Sequence, residues 1–127
     1  MSFVIKTTPF TVSPPVMLEE TTMYGGEDVQ RASEVFVWFS EAHGGHGLAW
    51  RGYVQSVERM GGNRMRVGIR PAQPSTVALG VSEMSPFRDV RDGSPQAELS
   101  RKLYYQSHNK IAAIGNAERA FLLRHFS

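Results

Sequence analysis

Trp38 ends one apolar segment and Trp50 opens the next, and between them lies the loop Glu41-Ala-His-Gly-Gly-His-Gly47. Indole faces stack on flat rings, and such a contact with a nucleobase contributes roughly 1–3 kcal/mol without reading sequence. Ser40, beside the loop, could hydrogen-bond a base edge, or be a plain strand-end serine. Both indoles could equally fill the core of a small barrel, where large aromatics dominate. His43 and His46 invite a metal reading, but zinc takes at least three protein ligands, cysteine is absent, and Glu41 is too close in sequence to complete a set. No metal and no cofactor are expected. A glycine loop that closes over a pocket is the better reading, and either histidine could donate to a phosphate when protonated.

A second polar-aromatic group, Tyr104-Tyr105-Gln-Ser-His-Asn-Lys110, falls where a helix ends and a new segment begins. Asn109 could read a base edge, Lys110 a phosphate, and Tyr105 could stack; an ordinary helix end with a lysine favoured by the dipole explains the residues as well. Arg64, Arg66 and Arg70 would lie on one strand face about 7 Å apart per pair, near the spacing of successive phosphates. A solvated outer face accounts for that row equally. Arg51 joins it only where the chain turns that side chain outward.

The elements that must position these residues are mostly strands. Phe3–Lys6 reads as a short first strand, ended by Pro9 and by Pro14-Pro15. Met17–Gln30 reads as loop or short helix, and its composition leaves both open. Glu34–Ser40 is β-branched and aromatic on both faces, as in an inner strand covered on two sides. Leu48–Glu58 is a longer strand whose apolar parity slips at Gly52, which calls for a bulge. Gly61-Gly62-Asn63 supplies a hairpin turn. Arg64–Arg70 then alternates, with Met65, Val67 and Ile69 inward. After Pro71 the chain reads as a loop-rich crossover. Ser94 and Pro95 mark a helix start with Leu99 and Leu103 on its inner face. Asn116 is expected to cap a last helix that packs Ala117, Ala120, Phe121 and Leu123 on the sheet and ends at Phe126.

With 127 residues, 41% apolar and 20% charged, the chain is expected to form one globular domain around one core. A formal charge of +2 confines any nucleic-acid role to a local patch. The absence of cysteine excludes disulfides, thiolate metal sites and a cysteine nucleophile, and fits a cytoplasmic protein. The longest apolar run, Val35–Phe39, is far too short to span a bilayer.

The order of a short N-terminal strand, Glu34-Val-Phe-Val-Trp-Phe-Ser40, a glycine loop, Gly47-Leu-Ala-Trp-Arg-Gly-Tyr-Val54 and Arg64-Met-Arg-Val-Gly-Ile-Arg-Pro71 resembles the PUA-like superfamily. Within it the likeness is to EVE domains, relatives of YTH and ASCH domains. Leu99–Lys110 with the helix at Asn116 looks like the closing segment of small EVE-like bacterial proteins, so the likeness covers most of the chain. It implies an α+β fold, a small curled β-barrel or pseudobarrel with flanking helices, and a pocket for a nucleobase, often a modified one. Lys6, Thr7 and Thr8 become candidates because the first strand borders the pocket in that family. Members commonly begin with a tryptophan-containing strand, whereas this chain begins Phe3-Val-Ile-Lys6.

The expectation is therefore a non-catalytic module that binds DNA or RNA and holds a base, since no set of nucleophile, base and orienting group has credible spacing. The alternatives are an ASCH-like, metal-independent ribonuclease using His43, His46 or Tyr105 with Lys110, and a protein-interaction domain or toxin-system accessory with a vestigial pocket.

Overall fold

The structure, a computed structural model, describes residues 1–11, 16–105 and 108–126. Pro14-Pro15, and Gln106 and Ser107 of the second polar-aromatic group, lie outside the described residues.

Six strands, β1 (Ser2–Thr7), β2 (Val16–Met23), β3 (Glu34–Phe39), β4 (Gly47–Gly61), β5 (Arg64–Pro74) and β6 (Lys110–Ile114), close into a barrel in the order β1-β3-β4-β5-β2-β6. β1 runs parallel to β3 and antiparallel to β6, and β2 runs antiparallel to β5 and parallel to β6. Three helices, α1 (Val81–Met84), α2 (Pro95–Ser100) and α3 (Asn116–Leu123), complete the described chain. This is the α+β curled barrel with flanking helices that the strand pattern and the resemblance implied.

Burial on both faces explains the apolar runs Phe3–Ile5 of β1 and Val35–Phe39 of β3. One face of each fills the barrel: Phe3, Ile5, Val35 and Val37 meet Val54, Met65, Val67, Ile69 and Ile111. The other face, with Val4, Phe36 and Trp38, packs on Leu79, Met84, Leu99, Leu103 and Leu122 under the helical side. Of the two alternating cores, the second carries the indole of Trp38.

Several elements depart from the sequence reading. Met17–Gln30 supplies the strand β2 and a 3-10 turn at Gly26–Asp28. Its polar alternation arises because Glu19 and Thr21 pair across to Arg66 and Arg64 on the outer side of β5. β5 continues past Arg70 to Pro74: beyond Ile69 it pairs only with β4, so Pro71 and Pro74 fall where a missing amide on the other side costs nothing. β6 begins at Lys110, inside what reads as a helix–loop junction. α2 starts as expected, the Ser94 hydroxyl accepting from the Ala97 amide at 3.2 Å with Pro95 first in the helix, then widens into a π-helical turn at Arg101–Tyr105. In α3, Asn116 is the first helical residue and Gly115 is the cap, its amide donating to Glu118 at 2.9 Å. The buried face of α3 is Glu118 and Leu122 rather than Ala117 and Ala120, because Lys102 meets the Glu118 carboxylate at 3.0 Å and lets it be buried. Phe121 and Leu123 pack half-buried against the same core.

Register along β4 shifts between Arg51 and Gly52, the bulge the apolar slip called for. A Cβ at Gly52 would lie 2.3 Å from the Arg70 carbonyl oxygen. Gly52→Ala is expected to lower stability by about 1–3 kcal/mol, the range for overpacking a close approach, read as a shift in urea midpoint at unchanged slope.

Glu34 binds β3 to three other elements: it accepts from Arg119 of α3 at 2.5 Å, from Arg51 of β4 at 3.1 Å and from Ser2 of β1 at 2.9 Å. Burial alone would raise its pKa, but the donated hydrogen bonds, that of Arg119 foremost, outweigh burial and hold the carboxyl below its ordinary 4.5. A carboxyl lowered in the folded state adds stability that is present above that ordinary value and is lost as pH falls through the folded one. Urea midpoints followed from neutral pH to about 3 should therefore fall more steeply for the wild type than for Glu34→Gln.

Candidate functional site

Where β1, β3 and β6 reach the same end of the barrel, the sequence places polar side chains beneath the π-helical turn. Lys6 and Lys110 are register partners on β1 and β6. Both are buried, and each points at a carbonyl of the turn: Lys6 Nζ donates to Leu103 O at 2.7 Å and Lys110 Nζ to Lys102 O at 2.7 Å. Carbonyls near a helix end lack amide partners, so ammonium groups satisfy them and meet the negative end of the dipole. Lys6 also sits 5.0 Å from the centroid of the Tyr104 ring. Burial pushes the Lys110 ammonium down to about 8, with the charge of Lys6 adding to it. Burial lowers Lys6 as well, and Glu41 opposes the shift.

Tyr104 and Glu41 close this group. The Tyr104 hydroxyl donates to Glu41 Oε2 at 2.7 Å, and Trp38 Nε1 donates to Glu41 Oε1 at 3.1 Å. The Tyr104 and Trp38 rings meet edge to face at 6.3 Å. Burial, and then the Glu41 carboxylate, push the Tyr104 hydroxyl well above the ordinary tyrosine range, so it stays a donor. On the barrel side Thr7 donates to Glu20 at 2.7 Å, and burial raises the Glu20 carboxyl. Ser40 is buried, with its hydroxyl 3.0 Å from His43 Nδ1. Asn109 donates to Thr8 at 3.3 Å, while its Oδ1 is buried with no hydrogen-bond partner among the described residues.

The structure thus gathers Lys6, Thr7, Trp38, Ser40, His43, Asn109 and Lys110 at one end of the barrel and disperses the rest. Trp38 and Trp50 do not form a slot: Val37 pairs with Trp50 and Leu48 with Trp38, which puts the two indoles on opposite faces of the sheet and in different cores. Trp38 is fully buried, and neither ring lines a cavity among the described residues. Close packing explains Gly45 and Gly47 of the loop, and a left-handed backbone explains Gly44. Residues 41–43 form a 3-10 turn, Gly45 donates to Ser40 O at 2.9 Å, and a Cβ at Gly45 would meet Phe39 backbone at 2.6 Å. His46 faces outward onto a shallow hollow of about 330 Å³ with Glu41, Gly80 and Glu83. No group of three metal-ligating side chains occurs among the described residues.

The arginine row is matched by acids. Arg64 and Arg66 each meet Glu19 at 3.2 Å, and Arg66 meets Glu58 at 3.3 Å. Arg70 alone of the three makes no ion pair among the described residues, and Arg51 turns inward to Glu34 and Gln73. Tyr105 is 71% exposed, at the rim of a second feature that the sequence reading missed. This is a cleft of about 170 Å³ behind Tyr104, lined by arginines of the segment before α2 and of the π-helical turn. Those arginines are scattered along the chain with no spacing to flag them. The contact between Tyr104 and Glu41 was missed for a related reason: it spans 63 residues.

The six-stranded closed barrel with its helical flank is similar in fold to solved DUF55 domain structures. The DUF55 domain of human thymocyte nuclear protein 1 matches with a TM-score of 0.67 at 10% identity, over 98% of this chain and 97% of that one. The human THYN1 protein in complex with 5-methylcytosine-containing DNA matches with a TM-score of 0.66 at 10% identity, over 97% and 95% of the two chains. Rpa0253 from Rhodopseudomonas palustris matches with a TM-score of 0.64 at 10% identity, over 98% and 91%. At that identity the likeness is one of fold. No family model and no curated protein matches the sequence. Among the described residues no helix is long and apolar enough to cross a membrane.

The buried lysine pair sets a pH signature. Because the folded pKa of Lys110 lies near 8 and its ordinary value is 10.5, the unfolded chain holds the extra proton between those values. Stability is therefore expected to rise as pH increases from about 8 to about 10, where the cost of a buried charge is relieved. Chemical denaturation across that window should show a smaller rise for Lys110→Met than for the wild type.

Proposed function

We propose that this chain is a non-catalytic nucleic-acid-binding domain that holds a nucleobase, a modified one, at the polar end of the barrel. The observation that carries this reading is the match of nearly the whole chain to a domain whose structure is a complex with 5-methylcytosine-containing DNA. The chemistry of the site supports it. Asn109 Oδ1 is an acceptor that lacks a donor among the described residues, and a buried polar atom left so costs about 1–3 kcal/mol. A base amine would satisfy it. Thr8, bonded to Asn109, offers a second polar group, and Lys6 and Lys110 supply positive potential to draw in a phosphate-bearing strand. Tyr104, held by Glu41, gives an aromatic wall.

The same geometry argues for holding rather than cutting. A nucleophile needs a base and a group to orient that base. Ser40 touches His43 but is fully buried, and no carboxylate hydrogen-bonds the His43 ring among the described residues. Tyr104 is kept protonated by the carboxylate it donates to.

Anisotropy titrations of labelled single- and double-stranded DNA and RNA, each with unmodified and modified bases, test the reading. The expected result is binding that favours one modified base by at least about tenfold, and a loss of that preference in Asn109→Ala at unchanged melting temperature. Absence of binding across the panel, or cleavage of the probe by the wild type, would sink it.

A further inference from the structure

The cleft behind Tyr104 gathers arginine side chains. Arg88, Arg91 and Arg101 converge on it with Tyr104, Tyr105 and Ser100. The side chains of Arg88 and Arg91 have no carboxylate partner among the described residues, in contrast to Arg64 and Arg66. Arg101 is placed by Glu98 at 3.3 Å and by its position 5.1 Å over the Tyr24 ring, so one guanidinium is fixed while two reach freely. Asp89 is the one carboxylate in the lining, leaving a surplus of positive charge. An adjoining hollow of about 270 Å³ shares all three arginines. At the floor, Ser100 is 1% exposed and its hydroxyl has no hydrogen-bond partner among the described residues. A buried hydroxyl without a partner is rare in folded proteins and calls for a ligand atom.

We propose that this cleft is a phosphate-binding site, taking a backbone phosphate of the strand whose base is held on the other side of Tyr104. The inference deepens the reading above and rests on it for the source of the phosphate. Guanidinium forks match the geometry of phosphate oxygens, and several of them around one group favour phosphate over a lone carboxylate. Ser100 donates to a third oxygen. Tyr105, an exposed ring at the rim, stacks on a neighbouring base. Tyr104 stands between the two regions, its hydroxyl committed to Glu41 and its ring forming a wall of the cleft.

The test uses the full chain and three probes: a labelled single-stranded oligonucleotide, a nucleoside 5′-monophosphate beside its nucleoside, and inorganic phosphate. Arg88→Gln/Arg91→Gln should weaken oligonucleotide binding roughly tenfold. It should also lower the slope of log affinity against log salt by about 1.4, two contacts at about 0.7 each. Ser100→Ala should melt at the wild-type temperature or higher, having lost an unsatisfied hydroxyl, yet bind several-fold more weakly. The monophosphate should shift the amide resonances of Ser100 and Tyr105, and its nucleoside should not. Inorganic phosphate that competes as well as the strand keeps the phosphate site and names a free anion as its source. Oligonucleotide binding with an unchanged salt slope in the double variant overturns this inference and leaves the base-holding reading standing. Arginine-dependent binding of the monophosphate with no binding of any oligonucleotide does the reverse.

Discussion

Closure of the barrel through β1 is the constraint on which the rest depends. β1 pairs with β3 on one side and β6 on the other, so strands from the start, middle and end of the chain share one ladder. That pairing alone brings Lys6 opposite Trp38 and opposite Lys110. Every contact of the polar end, from Lys6 to Leu103 and from Tyr104 to Glu41, follows from it. The apolar runs of β1 and β3 exist to be covered on both faces, and they hold the polar end in place by burial rather than by local turns.

The electrostatics of that end are unusual in their choice of partner. Most buried cations are matched by carboxylates, as Lys102 is by Glu118. Lys6 and Lys110 also donate to main-chain carbonyls. Those hydrogen bonds offset part of the cost of burying an ammonium group.

The strands β1, β3, β4 and β5, the bulge at Gly52, the capped start of α2 and the class of fold were legible in the sequence because each has a local signature: alternation, a parity slip, or a serine before a proline. β2 and β6 were not. Their hydrophobicity is diluted by Glu19, Glu20 and Lys110, residues whose strand partners lie tens of positions away. Site legibility split along the same line. Lys6, Thr7, Ser40, Asn109 and Lys110 sit together because strand ends recur at one rim, and residues at strand ends can be found by inspection. The two tryptophans misled because Trp50 pairs with Val37, the neighbour of Trp38, so strand alternation turns the indoles to opposite faces, a detail invisible without the pairing register. Glu41 and Tyr104 became visible only through their mutual contact.

The widened turn at Arg101–Tyr105 has a mechanical consequence. Its backbone carbonyls are gripped from the barrel by two strand lysines, while consecutive tyrosines leave it in different directions, one wedged inside and one out in water. A small slide of this single coil would be felt simultaneously at the rim of the barrel and in the cleft outside it. The coil is a shared support, hydrogen-bonded to the barrel on one flank and lining the cleft on the other.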